Sequence, residues 1–128
     1  MNGASTVKCT TSPTIHPTAV IDPSAVVGAG AVIGAHVTVG KNAKIGAQSV
    51  VGPYATIGEE STVGTHCEIR EWARLGFGVH VGSFCEIGEA AFFLGCATIG
   101  DHAVIGRHAR IDFAVQFGAH AEIGDGAL

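Results

Sequence analysis

The sequence predicts an all-β solenoid of six-residue units, and three columns of residues predict it. Stepping by six from Ile15, an apolar column runs through Ile21, Val27 and Ile33 to Ile123: nineteen positions, all aliphatic except Phe93 and Phe117, with no insertion. The eighteen positions four residues after an aliphatic, Ala19 through Ala121, hold only Ala, Ser, Cys or Val. The residue directly after the aliphatic is glycine at fourteen of the nineteen. Self-similarity this even marks one structural unit repeated along an axis.

Each part of the hexad has a physical role. The small residue and the aliphatic are two apart, so an extended backbone turns both to one face. β-branched Val and Ile suit that segment. The residue between them points the other way and varies freely. Glycine and the two residues after it turn the chain. No single hexad can bury its own inward face, so the hexads must wind and stack.

Composition agrees with one compact domain. The chain has 128 residues, 47% apolar and only 14% charged, too apolar for disorder. Four prolines and no period of three exclude collagen despite nineteen glycines. A net charge of −4 argues against nucleic acid and against anionic membrane surfaces. The start, "MNGASTVKCTTSPT", has no secretory apolar run, and no stretch approaches the roughly 20 apolar residues of a span. A cytoplasmic location without membrane insertion is expected. The four cysteines show no CxxC or zinc spacing and are expected as reduced thiols. Residues 1–14 are read as an N-terminal cap segment and residues 15–128 as the repeat domain. The chain ends at "GDGAL" soon after Ile123, so the last coil is expected either to be covered by another chain or to mark a fragment or shortened relative.

The pattern from Ile15 to about Gly126 resembles the hexapeptide-repeat transferase superfamily. That resemblance implies a left-handed parallel β-helix, about six coils of three hexapeptides, assembled as a homotrimer. Residues eighteen apart then stack, which sets Cys67 beneath Cys85 on the inside. "IHPTAVIDPSAVVGAGAVIG" (Ile15–Gly34) is similar to the opening of bacterial UDP-N-acetylglucosamine O-acyltransferases of lipid A synthesis, and of related N-acyltransferases. "EIREWARLGFGVHVGSFCEIGEA" (Glu68–Ala90) is similar to the acetyltransferase half of the bifunctional enzyme that makes UDP-N-acetylglucosamine, with Arg70 on its substrate-binding arginine. The implied reaction is one type. A nucleotide-sugar hydroxyl or amine attacks a thioester of acyl carrier protein or acyl-CoA, and no cofactor is bound tightly. An imidazole takes the proton, and backbone N–H groups hold the oxyanion.

The candidate site residues follow from where they fall in the hexad. His36, His66, His102, His108 and His120 share one position, three after the aliphatic, with Gly30, Asn42, Gly78 and Gly126. Such residue types tolerate a positive φ, so exposed corners are expected there. His102, with Asp101, is the catalytic candidate. "TIGDHAVIG" is the nearest local match to the acyltransferases' "IAHDCTVG", with histidine and aspartate exchanged. His66, His102 and His120 share one edge with Phe84, which places His66 and His120 as substrate-binding candidates beside His102. A row of imidazoles suits zinc across a trimer interface, as in the carbonic anhydrases on this fold. Their closely spaced second histidine pair has no counterpart, so no metal is expected. A second edge stacks His36, Tyr54 and Trp72, then Ala90 and His108, suggesting trimer packing or a stacking platform for a nucleotide. Arg74, Phe92 and Arg110 line up on one outward column. Arg70, Trp72, Arg74 and Arg110 complete the substrate-binding candidates, against a solvated face for the last two. The repeat is weakest at "EAAFFLGC" (Glu89–Cys96), read as a local bulge or an apolar contact patch.

Some departures support an alternative. The related enzymes place their catalytic histidine two residues after an inward aliphatic. That column, Pro17 through Asp125, holds no histidine here, and Gly88 stands where the second family has a lysine. Their long loop excursions are also missing. The alternative is a non-catalytic β-helix scaffold or shortened paralogue acting through trimerisation. An ice-binding helix would need a Thr-x-Thr ladder, and none exists.

Overall fold

The computed structural model describes residues 13–126. The proposed cap, residues 1–14, lies almost wholly outside that range; Thr14 is already paired with Val32. Nineteen short strands are present among the described residues, mostly two residues long, each ending on a residue of the apolar column or just beyond it. They form three parallel sheets, of seven, six and six strands, in which every third strand is a neighbour. The register is eighteen residues throughout: Glu68 pairs with Glu86, Arg74 with Phe92 and His80 with Thr98. The chain is therefore a left-handed parallel β-helix of about six turns. We call its faces wall one (Ile33, Val51, Ile69, Ile87), wall two (Val39, Ile57, Leu75, Phe93) and wall three (Ile45, Val63, Val81, Ile99). No helix among the described residues is long and apolar enough to cross a membrane.

The inward columns make the core. Phe93, Ile57 and Ile87 are fully enclosed, as are Ala31, Ala55 and Ala91 beside the edges, where two walls converge and only a small side chain fits. Polar members of the small column carry their own partners. Ser49 Oγ donates to the Gly64 carbonyl at 2.6 Å and accepts from Cys67 N–H at 3.0 Å. Ser61 repeats the motif on the Gly76 carbonyl. Cys67 and Cys85 are free buried thiols whose Sγ atoms lie 2.8 and 3.0 Å from the Gly82 and Gly100 carbonyls. Each hydroxyl or thiol thus reaches the carbonyl fifteen residues on, so the narrow core holds them at little cost.

The corners separate two roles, the turn itself on the histidine column, as expected, and the glycine column beside it. The left-handed conformation falls three residues after the aliphatic, and at fourteen positions its occupant is not glycine, including Tyr54 (φ 64°), Trp72 (φ 65°) and Phe84 (φ 61°). The glycine column serves close approach instead. A Cβ on Gly46 would lie 2.5 Å from the Gly64 carbonyl carbon, and one on Gly88 would lie 2.5 Å from that of Gly106. The strained corners are held from rung to rung: Tyr54 N–H donates to Ala35 O at 2.9 Å and His102 N–H to Ser83 O at 2.9 Å.

The stretch Glu89–Cys96 does not bulge. Its strand lengthens to Phe92–Gly95 and runs in register against Arg74–Phe77, with Phe77 opposite Gly95. A two-residue extension on both rungs absorbs the Leu94 irregularity without an unpaired residue.

Candidate functional site

Because the walls are regular, chemistry-bearing side chains collect at the edges and on the outer faces. Three groups stand out, and the sequence candidates divide among them.

The edge between walls three and one carries a ring ladder. His66 stacks on Phe84 at 4.9 Å, Phe84 on His102 at 5.2 Å, and His102 on His120 at 5.1 Å, with interplanar angles of 7° or less. The eighteen-residue register explains the ladder: each corner residue starts from the same backbone conformation one rung higher. His66, His102 and His120 are thus brought together as expected. His102 is exposed, with a ring on each face. Asp101 does not orient it. Its Oδ1 accepts from the Ser83 N–H one rung below at 2.9 Å, the role that Asp125 plays for Arg107 N–H. Above Asp101 the next rung offers Ala119, which has no acceptor side chain, so the Asp101 N–H faces no such cap. The ladder therefore presents an imidazole held by stacking, with a backbone donor beside it. No cluster of three or more metal-ligating side chains occurs among the described residues.

Arg70 lies apart from that ladder, on the outer face of wall one. It breaks the glycine column and reaches Glu68 Oε1 at 3.3 Å and Glu86 Oε2 at 3.9 Å. A groove of about 570 Å³ runs past it, lined by Glu68, Glu71, Glu86, Glu89 and Asp125 against Arg70 and Arg107. Five carboxylates to two guanidiniums make this surface acidic, so Arg70 is already neutralised by its neighbours. The signal for Glu86 was present in the sequence: it lies eighteen residues after Glu68.

Trp72 lies on the edge between walls one and two, and Arg74 on the adjoining outer face of wall two. His36, Tyr54 and Trp72 stack at 4.8 and 4.5 Å. Beyond them a groove of about 490 Å³ is lined by Trp72, Arg74, Glu89, Ala90, Phe92 and His108. Arg74 lies over the Phe92 ring, its Cζ 5.5 Å from the centroid, and Arg110 pairs in register on the far side of Phe92. The structure thus joins Trp72 and Arg74 around one groove, with Arg110 one rung beyond its Phe92 wall, and keeps them apart from Arg70.

Comparison with known proteins fits this geometry. Residues 42–77 match the model of the bacterial transferase hexapeptide (six repeats). No curated protein matches significantly. Among solved structures, the chain is similar to a point mutant of perosamine N-acetyltransferase from Caulobacter crescentus in complex with CoA and GDP-perosamine. Identity is 25%, the TM-score 0.80, and the match covers 84% of this chain and 51% of that one. It is also similar to the acetyltransferase domain of PglB from Neisseria gonorrhoeae in complex with acetyl coenzyme A, at 26% identity and a TM-score of 0.78, covering 91% of this chain and 53% of that one. The chain therefore spans about half the length of the solved structures it matches.

Proposed function

We propose that this hexapeptide β-helix is an acyltransferase. It moves an acyl group from a thioester, of CoA or of acyl carrier protein, to a hydroxyl or amine of a nucleotide sugar. The observation that carries the proposal is the close match of nearly all its coils to two acetyltransferases solved with CoA or acetyl coenzyme A. The likeness of Ile15–Gly34 to UDP-N-acetylglucosamine O-acyltransferases supports that nucleotide sugar, and a lipid A-type pathway, as the finer assignment.

In this reaction His102 is the base. The acceptor O–H or N–H gives its proton to the exposed imidazole as the oxygen or nitrogen bonds to the thioester carbon. The carbonyl oxygen gathers negative charge, and the Asp101 N–H is the nearby donor for it. The C–S bond then breaks, and the imidazolium returns its proton to the leaving thiolate. His66 and His120 extend the imidazole edge on which the acceptor lies. Arg74 and Arg110 balance the phosphates of a co-substrate, Trp72 offers a stacking face, and Arg70 positions the acceptor sugar from the acidic groove. The chain works as a homotrimer in the cytoplasm, its edges meeting those of neighbouring copies.

One observation favours the alternative, a scaffold without turnover: Asp101 is committed to Ser83 and gives His102 no hydrogen-bonded orienting partner. The test is thiol release from acetyl-CoA and from acyl carrier protein thioester, with UDP-N-acetylglucosamine and other nucleotide sugars as acceptors. Acceptor-dependent release is expected. A folded chain inert with both donors and every acceptor is a scaffold.

A further inference from the structure

The ring ladder between walls one and two has a vacant rung. His36, Tyr54 and Trp72 fill successive rungs at 4.8 and 4.5 Å, the next residue in the column is Ala90, and a ring returns at His108. The backbone does not change across the gap. Ala90 has φ 59°, between Trp72 at 65° and His108 at 59°, so only the side chain is missing. Trp72 and His108 stand two rungs apart, roughly 9–10 Å at the usual strand spacing. That separation admits one planar ring stacked on both. The other ladder shows an occupied rung of the same kind, with Phe84 between His66 and His102 at 4.9 and 5.2 Å.

The surroundings select the ring. The slot opens into the groove lined by Trp72, Arg74, Glu89, Ala90, Phe92 and His108. Its basic side carries Arg74 over Phe92, and Arg110 follows Phe92 in register on the same outer face, just beyond the lining. Its acidic member, Glu89, precedes Ala90 and can accept from ring N–H or amino groups. A ring with N–H donors, tethered to negative charge, uses all of these groups; a bare hydrocarbon ring uses only the stack.

We propose that the rung at Ala90 is the base-binding slot for a nucleotide, with the base stacked between Trp72 and His108 and its phosphates directed to Arg74 and Arg110. The proposal rests on the acyl-transfer reading for its choice of ligand, either the donor's adenine nucleotide or the acceptor's nucleotide diphosphate. Its test reads binding rather than turnover, so each can fail alone.

Trp72 is the sole tryptophan, so its fluorescence reports the slot. Titration of the full chain with ADP, UDP and GDP should give saturable quenching by at least one of them. ADP alone assigns the slot to the donor, and UDP or GDP alone to the acceptor. Ala90→Phe should fold, since Phe84 occupies an equivalent corner at φ 61°. It should weaken binding at least tenfold, while Ala90→Gly should retain it. Joint removal of Arg74 and Arg110 side chains should weaken the nucleotide but not the free nucleoside. The proposal is overturned by no quenching at millimolar nucleotide, or by equal affinity in Ala90→Phe. It is also overturned if the quenching follows protein concentration without nucleotide, which would assign the slot to a ring of a second copy.

Discussion

Replacing Gly46 by alanine tests why the glycine column exists. The added Cβ would sit 2.5 Å from both the carbonyl carbon and the oxygen of Gly64, about 1 Å inside ordinary contact, and neither atom belongs to a flexible side chain. Relief must come from separating two rungs tied by the Gly46 N–H to Val63 O bond of 2.8 Å. Overpacking of this kind costs about 1–3 kcal/mol, and stretching the ladder bond adds up to ~1 kcal/mol. Gly118 belongs to the same column, yet a Cβ there meets nothing within 4 Å. Alanine at 118 should be neutral or stabilising by up to ~1 kcal/mol, through the lower entropy of the unfolded chain. Urea unfolding measures both. With m-values of about 1–3 kcal/mol per molar, the Gly46→Ala midpoint should fall by roughly 1 M, while Gly118→Ala stays level or rises. Equal shifts in the two variants would refute close approach as the reason for the column.

Other predictions concern the core, the thiols and acid. Ser49→Ala strands the Gly64 carbonyl and the Cys67 N–H and should cost about 1–3 kcal/mol, read from the urea midpoint, whereas Ser49→Cys should recover part of it. In the native protein a maleimide should modify Cys96, which is exposed, well before Cys67 or Cys85, which are 2% exposed. Cys67 should be slowest, because its hydrogen bond to Cys85 and its burial push the thiol far above its ordinary value. Peptide mapping of the adducts decides, and early labelling of Cys67 contradicts the buried column. Asp22 accepts from the Ser24 N–H and hydroxyl, which lowers its pKa from 3.8 in the folded chain. Its contribution is therefore full above about pH 4 and lost as pH falls through the lowered value. Asp22→Asn should flatten the stability profile below pH 4, with its loss against wild type seen at neutral pH and vanishing in acid.

Much of the fold was legible because a repeat states its rule nineteen times. The inward column from Ile21 to Ile123, the small column and the histidine corners all stand where spacing put them. The purpose of the glycines was less visible. Composition suggests conformational freedom, but the left-handed turn falls on the column of Trp72, Phe84 and His102, as its histidines implied, and the glycines' close approach depends on a backbone eighteen residues away. Of the two readings of Glu89–Cys96, the bulge is ruled out for a similar reason. Whether Leu94 causes a bulge depends on what the rung below does, and Arg74–Phe77 extends to match. At the site, the eighteen-residue register foretold both ring ladders and the Arg74–Phe92–Arg110 line. It did not foretell that Asp101 would turn to Ser83, or that Arg70 would sit between Glu68 and Glu86, since which neighbour a polar side chain takes depends on what stands on the adjacent rung.

The decisive measurement is kcat/KM for acyl transfer in wild type and His102→Ala, with the acceptor that gives the highest thiol release. If His102 is the general base, the variant should fold to the same urea midpoint and lose between about 10² and 10⁴ in kcat/KM. An unchanged kcat/KM in the well-folded variant would contradict the assignment and move the chemistry away from the histidine edge.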